Sequence, residues 1–367
     1  MDADDVIWMG SSFQNTTIIK KDIHILLIGP VSNTQENLIG GATISFGYLI
    51  DYLKVNGEAF TLINTKPYIN GWKRLLNPVL IITKVLFHIF KTDVVFLNSS
   101  RGGTKYLVPI LAFSSKMFGR KFVFRPFGGN IKTYTANYSP FWQWILHKSF
   151  LNTDILFLQT HFLINYYNKL NYNTIHLPTS RNPTRSFLKK PALSFKKRFI
   201  YLGAIEKTKG IDEMIAVSKQ LTDDYTLHLY GPITDMKYKY LSEQEQGLYH
   251  GVLEKKEVLK KLNEYDVLIL PTYYEGEGYP GVIIEAYSLG IPVISTHWLA
   301  IPEIVEHGKS GLLIEPQSSN ALLEAILHFN IKNYAAYAKN AHTLFDHQFN
   351  ADKVIQQAVN AIKYGSI

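Results

Sequence analysis

Apolar runs of five or six residues alternate with stretches of helical spacing through the first half of the chain. The run Ile23–Ile28 ends at Gly29-Pro30 and predicts a buried strand, and Ala42–Leu53 then has the period of a helix. The same alternation continues with strand-like runs at 60–64, 93–98, 121–126 and 154–159, and with helical stretches at about 75–90, 105–117 and 140–150. Strands that alternate with helices predict a parallel sheet covered by helices on both faces.

A second cycle of the same kind begins after residue 197. The predicted strands are 198–203, 225–231, 266–271, 291–295 and 311–316, and the predicted helices are about 210–221, 254–263, 281–289 and 320–329. The expected fold class is therefore α/β, with two doubly wound, Rossmann-like domains. Ligands of such sheets bind at the carboxyl ends of the strands, so we expect both domains to face a central cleft.

The domain boundaries follow from a break in this pattern. Arg181–Lys197 contains Pro183, Pro191 and a basic run, which is typical of a linker. We expect a lead-in segment at 1–20, a first domain at 21–183, a second domain at 184–345 and a final segment at 346–367.

Charge is distributed unequally along the chain. The 367 residues carry a net charge of +8, with 18 Lys/Arg against nine Asp/Glu in residues 1–183 and 20 against 21 in the remainder. The excess positive charge of the first half favours an anionic partner, such as a membrane surface, over a neutral one. A basic surface without any partner is the simpler alternative, and no motif that reads nucleic acid is present.

Cysteine is absent, which excludes disulfides, thiolate catalysis and cysteine-bound metal centres. The only Asp-x-Asp is Asp2-Ala-Asp4 in the acidic start of the chain, so we expect no metal and no cofactor. That acidic start also predicts no secretory signal, and the apolar stretch 78–90 is too short to span a bilayer. The expected location is cytoplasmic, at most peripheral to the inner face of a membrane.

The strongest chemical signal is the segment 274–290, YEGEGYPGVIIEAYSLG, which follows a predicted strand and enters a helix. Its glycines let the backbone approach a ligand closely, and free amides at the helix start favour phosphate groups. Glu277 and Glu285 lie eight residues apart, one on the loop and one in the helix. Carboxylates accept hydrogen bonds from sugar hydroxyls, so both side chains are candidates for binding a sugar.

This segment resembles the E-x7-E motif of the retaining glycosyltransferases of family 4, which have the GT-B fold. The resemblance extends to 201–210, YLGAIEKTKG, to 300–311, which contains Pro302-Glu303, and to Gly40-Gly41 after the first strand. It implies a nucleotide-diphosphate sugar, of the UDP or GDP type, as donor. The implied architecture has the acceptor on the first domain, the donor on the second and a last helix that crosses back to the first domain.

The resemblance also implies roles for individual residues. Glu277 would contact the donor sugar, Glu285 the ribose, and Lys209 the pyrophosphate. The backbone carbonyl at Phe127 would lie near the anomeric carbon, and Glu303 matches a position near the site. The remaining donor-binding residues implied are Gly278, Tyr279, Pro280, Gly281, Val282, Gly203, Gly40 and Gly41.

The chain departs from the family pattern at three places. Ala204 stands where an arginine is usual, Phe127 replaces a histidine, and His297-Trp-Leu-Ala300 replaces a pair of glycines. Lys207 and Arg125 are candidates for the missing positive charge. These departures concern the choice of donor sugar rather than the class of reaction.

Acceptor and membrane contacts are expected in the first domain. Asn98 and Arg101 follow a predicted strand, and with Arg125 they are candidate acceptor-binding residues. Trp72-Lys73-Arg74 opens an apolar, basic segment that suits a membrane interface, although a core-packing helix is the alternative.

The function expected from these features is transfer of a sugar to a saccharide or lipid-linked acceptor in surface polysaccharide biosynthesis. Two alternatives stay open, a nucleotide-sugar epimerase of the GT-B fold and a non-enzymatic two-domain sugar-binding protein. No convincing acid–base pair for an epimerase is visible in the sequence.

Overall fold

The structure is a computed structural model that describes residues 23–31, 41–65, 77–182, 194–243 and 247–365. The first domain contains a sheet of six parallel strands in the order β2-β1-β3-β4-β5-β6. The strands are β1 (Ile25–Gly29), β2 (Phe60–Asn64), β3 (Val94–Ser99), β4 (Lys121–Pro126), β5 (Ile155–Leu158) and β6 (Thr174–His176). The apolar runs predicted as strands form β1 to β5, whereas β6 is too short to have a clear sequence pattern.

Helices cover both faces of this sheet. They are α1 (Gly41–Val55), α2 (Asn77–His88), α3 (Arg101–Met117), α4 (Ile131–Ala136), α5 (Pro140–Leu151) and α6 (His161–Asn168). Side chains alternate along each strand, so that Leu97 and Phe124 pack under α3 and α5 while Phe96 and Val123 pack under α1. The first domain therefore has two cores, one on each face of the sheet.

The second domain contains five parallel strands in the order β11-β10-β9-β7-β8. They are β7 (Arg198–Leu202), β8 (Thr226–Tyr230), β9 (Val267–Leu270), β10 (Val293–Thr296) and β11 (Gly311–Ile314). The helices that follow residue 197 are α7 (Ile211–Ser218), α8 (Lys255–Leu262), α9 (Gly281–Ser288), α10 (Ser319–His328), α11 (Ile331–Leu344) and α12 (Ala351–Tyr364). The prediction of two doubly wound α/β sheets is confirmed.

The chain passes between the domains at two adjacent points. The Arg181 N–H donates to the Phe349 carbonyl at 3.0 Å, and the Ala351 N–H donates to the Arg181 carbonyl at 2.9 Å. Beyond this crossing, α12 packs on the first domain, where Val354 and Ile355 share a core with Phe46. The two crossings are thus hydrogen-bonded to each other and form the joint between the domains.

Several sequence predictions fall on residues that the structure does not describe. These are the lead-in segment 1–20, Gly40, the Trp72-Lys73-Arg74 segment and most of the predicted linker. Arg181, the first residue of the predicted linker, lies in the joint where the chain passes between the domains. It is buried and its side chain pairs with Glu285 of the second domain, a contact that the pattern of prolines and basic residues does not reveal.

Candidate active site

The glycine loop between β9 and α9 meets the first domain at the carboxyl edges of both sheets. A Cβ atom on Gly129 would lie 2.5 Å from the Glu277 carbonyl oxygen, and one on Gly278 would lie 3.0 Å from the Gly129 nitrogen. Cβ atoms do not approach other atoms so closely, so this backbone contact requires glycine on both sides. The predicted donor loop therefore faces the Phe127-Gly-Gly129 loop directly.

Glu277 is held by a lysine of the neighbouring loop. The Lys209 Nζ donates to Glu277 Oε2 at 2.6 Å, and the Thr272 hydroxyl donates to the same oxygen at 3.0 Å. The Lys209 ammonium also lies 4.5 Å from the centre of the Tyr274 ring. The Tyr273 N–H donates to the Thr208 carbonyl at 2.8 Å and joins the two loops. The structure thus brings together two residues that sequence reasoning placed in one site.

Glu285 lies on the second turn of α9 and pairs with Arg181. The Arg181 Nε donates to Glu285 Oε1 at 2.7 Å, and Arg181 Nη1 donates to the Ser180 carbonyl at 3.0 Å. Arg181 Nη2 reaches Gly281, the first residue of α9, so closely that a Cβ there would clash with it. A buried guanidinium therefore lies at the N-terminus of α9, which sequence reasoning missed.

The start of α9 carries no competing side-chain cap. Pro280 is the residue before the helix, and no side chain caps it. The first N–H groups of a helix have no partner within the helix, and the helix dipole makes this end positive. Gly281 and Val282 lie in this first turn, as the predicted donor site requires. Tyr279 instead buries its ring between the domains.

The contact between the domains also involves Glu303. Its two carboxylate oxygens accept the His161 and Phe162 N–H groups at 2.7 and 2.8 Å, and Oε2 accepts the Tyr279 hydroxyl at 2.7 Å. Burial, followed by this hydrogen bond, raises the pKa of the Tyr279 hydroxyl. Glu303 therefore caps the N-terminus of α6 across the domain boundary and stabilises the contact between the domains.

A cavity of about 290 Å³ opens beside Glu285. Ile44 and Tyr48 of α1 line it from the first domain, and Arg181 and Glu285 lie at its wall. Its apolar lining on the second domain comes from Leu253, Val258 and Leu259. Apolar side chains next to a carboxylate and a guanidinium suit an aromatic group attached to a polar and anionic one.

The candidate acceptor residues occupy the ends of β3 and β4. Asn98 and Arg125 are register partners, and the Asn98 Nδ2 donates to the Ala42 carbonyl at 3.4 Å. Arg125 is 7% exposed, and burial lowers the pKa of its guanidinium to about 10. It lies 5.9 Å from the centre of the Phe127 ring. Arg101 begins α3, is exposed and forms no contact with these residues among those described.

Two further predicted donor residues, Gly203 and Gly41, lie at the ends of secondary-structure elements. Gly203 follows β7, where its N–H donates to the Tyr230 carbonyl at 3.1 Å, and Gly41 begins α1. Ala204 accepts the Tyr201 hydroxyl with its carbonyl at 2.6 Å and supplies no positive charge at the position where an arginine is usual. The described residues contain no group of three or more metal-ligating side chains.

The chain is similar in sequence to known glycosyltransferases. Residues 196–330 match the family model of glycosyl transferases group 1. A putative colanic acid biosynthesis glycosyltransferase, WcaL of Escherichia coli (strain K12), is 31% identical over 189 residues, which cover 47% of this chain and 45% of WcaL. A putative teichuronic acid biosynthesis glycosyltransferase, TuaC of Bacillus subtilis (strain 168), is 33% identical over 131 residues, which cover 35% of this chain and 32% of TuaC. The chain therefore spans less than half the length of these curated relatives.

Solved structures extend the comparison to nearly the whole fold. HepE of Anabaena, crystallised in complex with UDP and glucose, superposes with a TM-score of 0.68 at 16% identity and covers 93% of this chain and 100% of its own. The protein thus has the two-domain GT-B fold. More narrowly, it resembles the glycosyltransferases of family 4, and its second domain carries the group 1 glycosyltransferase match.

Proposed function

We propose that the protein is a retaining glycosyltransferase. It would move a sugar from a nucleotide-diphosphate sugar of the UDP or GDP type to a saccharide or lipid-linked acceptor in surface polysaccharide biosynthesis. The observation that carries this proposal is the pair of opposite charges on each side of the glycine loop, Lys209 with Glu277 and Arg181 with Glu285. The curated relatives are named as putative glycosyltransferases of colanic acid and teichuronic acid biosynthesis, and these names support the class of pathway.

We infer one orientation for the donor in this site. The cavity between α1 and α8 suits the base, and Glu285 beside it suits the ribose hydroxyls. The diphosphate would then lie at the α9 N-terminus between Arg181 and Lys209, and the sugar would reach Glu277. Each carboxylate would exchange its present cation for hydroxyl groups, and each cation would be released to the diphosphate.

The reaction rests on stabilisation of the leaving group. The bond between the anomeric carbon and the diphosphate breaks, and an acceptor hydroxyl forms the new bond on the same face. Negative charge grows on the departing diphosphate, where the α9 amides, Lys209 and Arg181 stabilise it. Its leaving oxygen is the nearest acceptor for the hydroxyl proton, and the Phe127 carbonyl, on the loop opposite Gly278, would stabilise positive charge at the anomeric carbon.

Arg181 would supply the positive charge that an arginine usually provides at the position of Ala204. Its guanidinium is buried, already lies at the α9 N-terminus and can bind two phosphate oxygens at once. Lys207, the candidate from the sequence, is exposed in the turn before Lys209. Arg125 lies on the first domain at the acceptor side. Arg181 is therefore the residue that we assign to the missing positive charge.

A matched pair of loop variants tests the proposed activity. Glu277→Gln should lower kcat/KM at least about 100-fold, or about 2.7 kcal/mol, because the sugar loses a charged acceptor while the shape of the side chain is kept. Glu275→Gln, two residues away on the exposed part of the loop, should remain within about twofold. Products from a panel of nucleotide sugars would be identified by mass spectrometry, and their anomeric configuration by NMR.

Three results would overturn this assignment. Near-normal transfer by folded Glu277→Gln would remove Glu277 from the reaction, and an inverted product would exclude retention. Epimerised nucleotide sugar without any transfer product would favour the epimerase instead.

A further inference from the structure

Three helices on one face of the first domain, α2, α3 and α5, carry apolar side chains toward solvent. On α3 the exposed large apolar residues are Tyr106, Ile110, Phe113 and Met117, which recur at the spacing of a single helical stripe. The opposite side of α3 is buried in the core through Leu107, Val108 and Leu111. A surface helix normally places polar residues on the side away from the core, so this stripe is not explained by packing.

The neighbouring helices repeat the arrangement. Phe87 of α2 is 74% exposed and Phe90 follows it in the next turn, although Ile81 and Val85 on the other side are buried. Phe141 and Trp144 extend from the outer side of α5. In the described part of the chain, every exposed phenylalanine and tryptophan lies in the first domain. We call the outer surface formed by Phe87, Phe90, Phe113, Met117, Phe141 and Trp144 the aromatic face.

The charge around the aromatic face has a single sign. Residues 77–151, which contain these helices, include ten Lys/Arg and only one Asp/Glu, Asp93. Asp93 is engaged within the domain, where its carboxylate accepts the His24 N–H at 3.0 Å. Lys91, Lys116 and Lys148 are exposed on or beside α2, α3 and α5. The face therefore combines exposed aromatic groups with an excess of positive over negative residues in the segment that forms it.

We propose that the aromatic face docks on the surface of an anionic lipid bilayer. Aromatic and aliphatic side chains enter the boundary between headgroups and acyl chains, while the lysines interact with anionic headgroups. A second copy of the chain fits less well, because two such faces would bring like charges together. No helix of the described chain is both long and apolar enough to cross a bilayer, so this surface would lie on the membrane.

The proposal does not depend on the transferase activity. It would explain how the first domain reaches an acceptor that is anchored in lipid, since α3 and α5 both start at the carboxyl edge of the sheet that faces the cleft. Binding to vesicles can be measured without any donor or acceptor. Failure of the proposed reaction and failure of membrane docking are therefore distinguishable.

Sedimentation with vesicles tests the docking. The full chain should bind vesicles of phosphatidylcholine with 30% phosphatidylglycerol, roughly the anionic fraction of a charged leaflet, and it should bind pure phosphatidylcholine much more weakly. Each basic residue at an anionic surface strengthens binding about fivefold, so Lys91→Gln with Lys148→Gln should weaken it about tenfold or more. Raising the salt concentration should weaken the binding of the unchanged chain as well.

A matched set of apolar variants distinguishes binding through the aromatic face from non-specific hydrophobic adsorption to vesicles. Phe87→Ser with Phe113→Ser and Trp144→Ser should reduce vesicle binding about tenfold or more, because all three side chains are exposed on the aromatic face. Met236→Ser with Leu327→Ser and Ile331→Ser removes three exposed apolar side chains from the second domain and should leave binding unchanged. Circular dichroism would show that both triple variants are folded.

Several outcomes would overturn the proposal. The proposal is wrong if the chain does not bind anionic vesicles, if it binds anionic and neutral vesicles equally, or if the two triple variants lose vesicle binding equally. Sedimentation velocity that shows a dimer dispersed by the first triple variant, without vesicle binding, would assign the face to self-association.

Discussion

Arg181 connects the joint between the domains to the donor site. Its backbone is hydrogen-bonded to the returning chain on both sides, and its guanidinium pairs with Glu285 on α9. Because the backbone of Arg181 is fixed by two hydrogen bonds at the joint, its side chain has little freedom to leave the site. Its position therefore depends on how the domains close.

We expect Arg181→Gln to weaken the binding of a nucleoside diphosphate at least about tenfold, which corresponds to 1.4 kcal/mol. The affinity for the nucleoside without phosphate should stay within about twofold, because the base cavity and Glu285 remain. Calorimetry with the nucleosides and diphosphates of uridine and guanosine would measure both.

Arg181→Lys, which keeps a charge without the planar fork, should recover part of the loss. Lys207→Gln is the matched control because it removes a positive charge from an exposed position in the adjacent turn. An equal loss for nucleoside and diphosphate would make Arg181 a structural residue. Absence of any nucleotide binding by the unchanged chain would count against the proposed function instead.

At the level of elements, the N-terminus of α6 is a point of contact between the second domain and the first. Thr160 accepts the Leu163 N–H as an ordinary cap, and Glu303 adds two further hydrogen bonds from the opposite domain. A carboxylate at the N-terminus of a helix is favoured both by its hydrogen bonds and by the helix dipole. The contact thus couples the position of α6 to the loop that carries Glu303.

Glu303→Gln should lower the free energy of unfolding by about 1 kcal/mol. One amide oxygen can replace only one of the two carboxylate acceptors, and the negative charge at the helix start is lost. Urea unfolding followed by tryptophan fluorescence would measure the change. Glu306 is exposed, and among the described residues its carboxylate pairs with Lys309, so Glu306→Gln should change stability by less than about 0.5 kcal/mol. Equal stability of the two variants would contradict the proposed interdomain cap.

Across the whole molecule, two pairs of adjacent histidines are expected to make stability depend on pH. The ring centres of His161 and His176 lie 4.0 Å apart at the domain contact, and those of His228 and His250 lie 3.9 Å apart in the second domain, each pair with tilted rings. Burial, with the neighbouring imidazole as a second cause, lowers the pKa of His176 to about 4. The same causes lower the pKa of His228 to about 4.

Stability should therefore fall on acidification between about pH 6.5 and pH 4. In this range the unfolded chain binds a proton at each of these histidines while the folded chain does not, so protons favour unfolding. For His176 alone the loss is at most about 3 kcal/mol, since one pKa unit corresponds to 1.36 kcal/mol.

The urea midpoint at pH 7.5 and pH 5 would measure this loss. His176→Asn should reduce the difference between the two midpoints, and His228→Asn should do so separately, so that the double variant shows the smallest difference. A pH dependence that is unchanged in the double variant would contradict the assignment to these histidines.

Much of the architecture was predictable because it is encoded locally. The runs that became β1, β3 and β9 are continuous and apolar, and such runs are buried in a parallel sheet irrespective of what surrounds them. The glycine loop before α9 was also predictable, because its glycines, its proline and the helix that follows it determine the backbone conformation locally. Glu277 and Lys209 were assigned to one site through the resemblance to the family 4 motifs, and in the structure both follow strands of the same sheet.

The pairings across the domains could not be predicted in this way. Arg181 is 104 residues from Glu285, and His161 is 142 residues from Glu303. Sequence patterns report which side of an element is buried, but not which buried polar groups meet when two domains close. The aromatic face shows the same limit, since an apolar stripe on a helix predicts burial until neighbouring helices leave it outside. Periodicity and turn chemistry therefore determined the two sheets and the glycine loop. Closure of the domains decided which charges share the site, and the packing of helices within the first domain decided which apolar side chains face solvent.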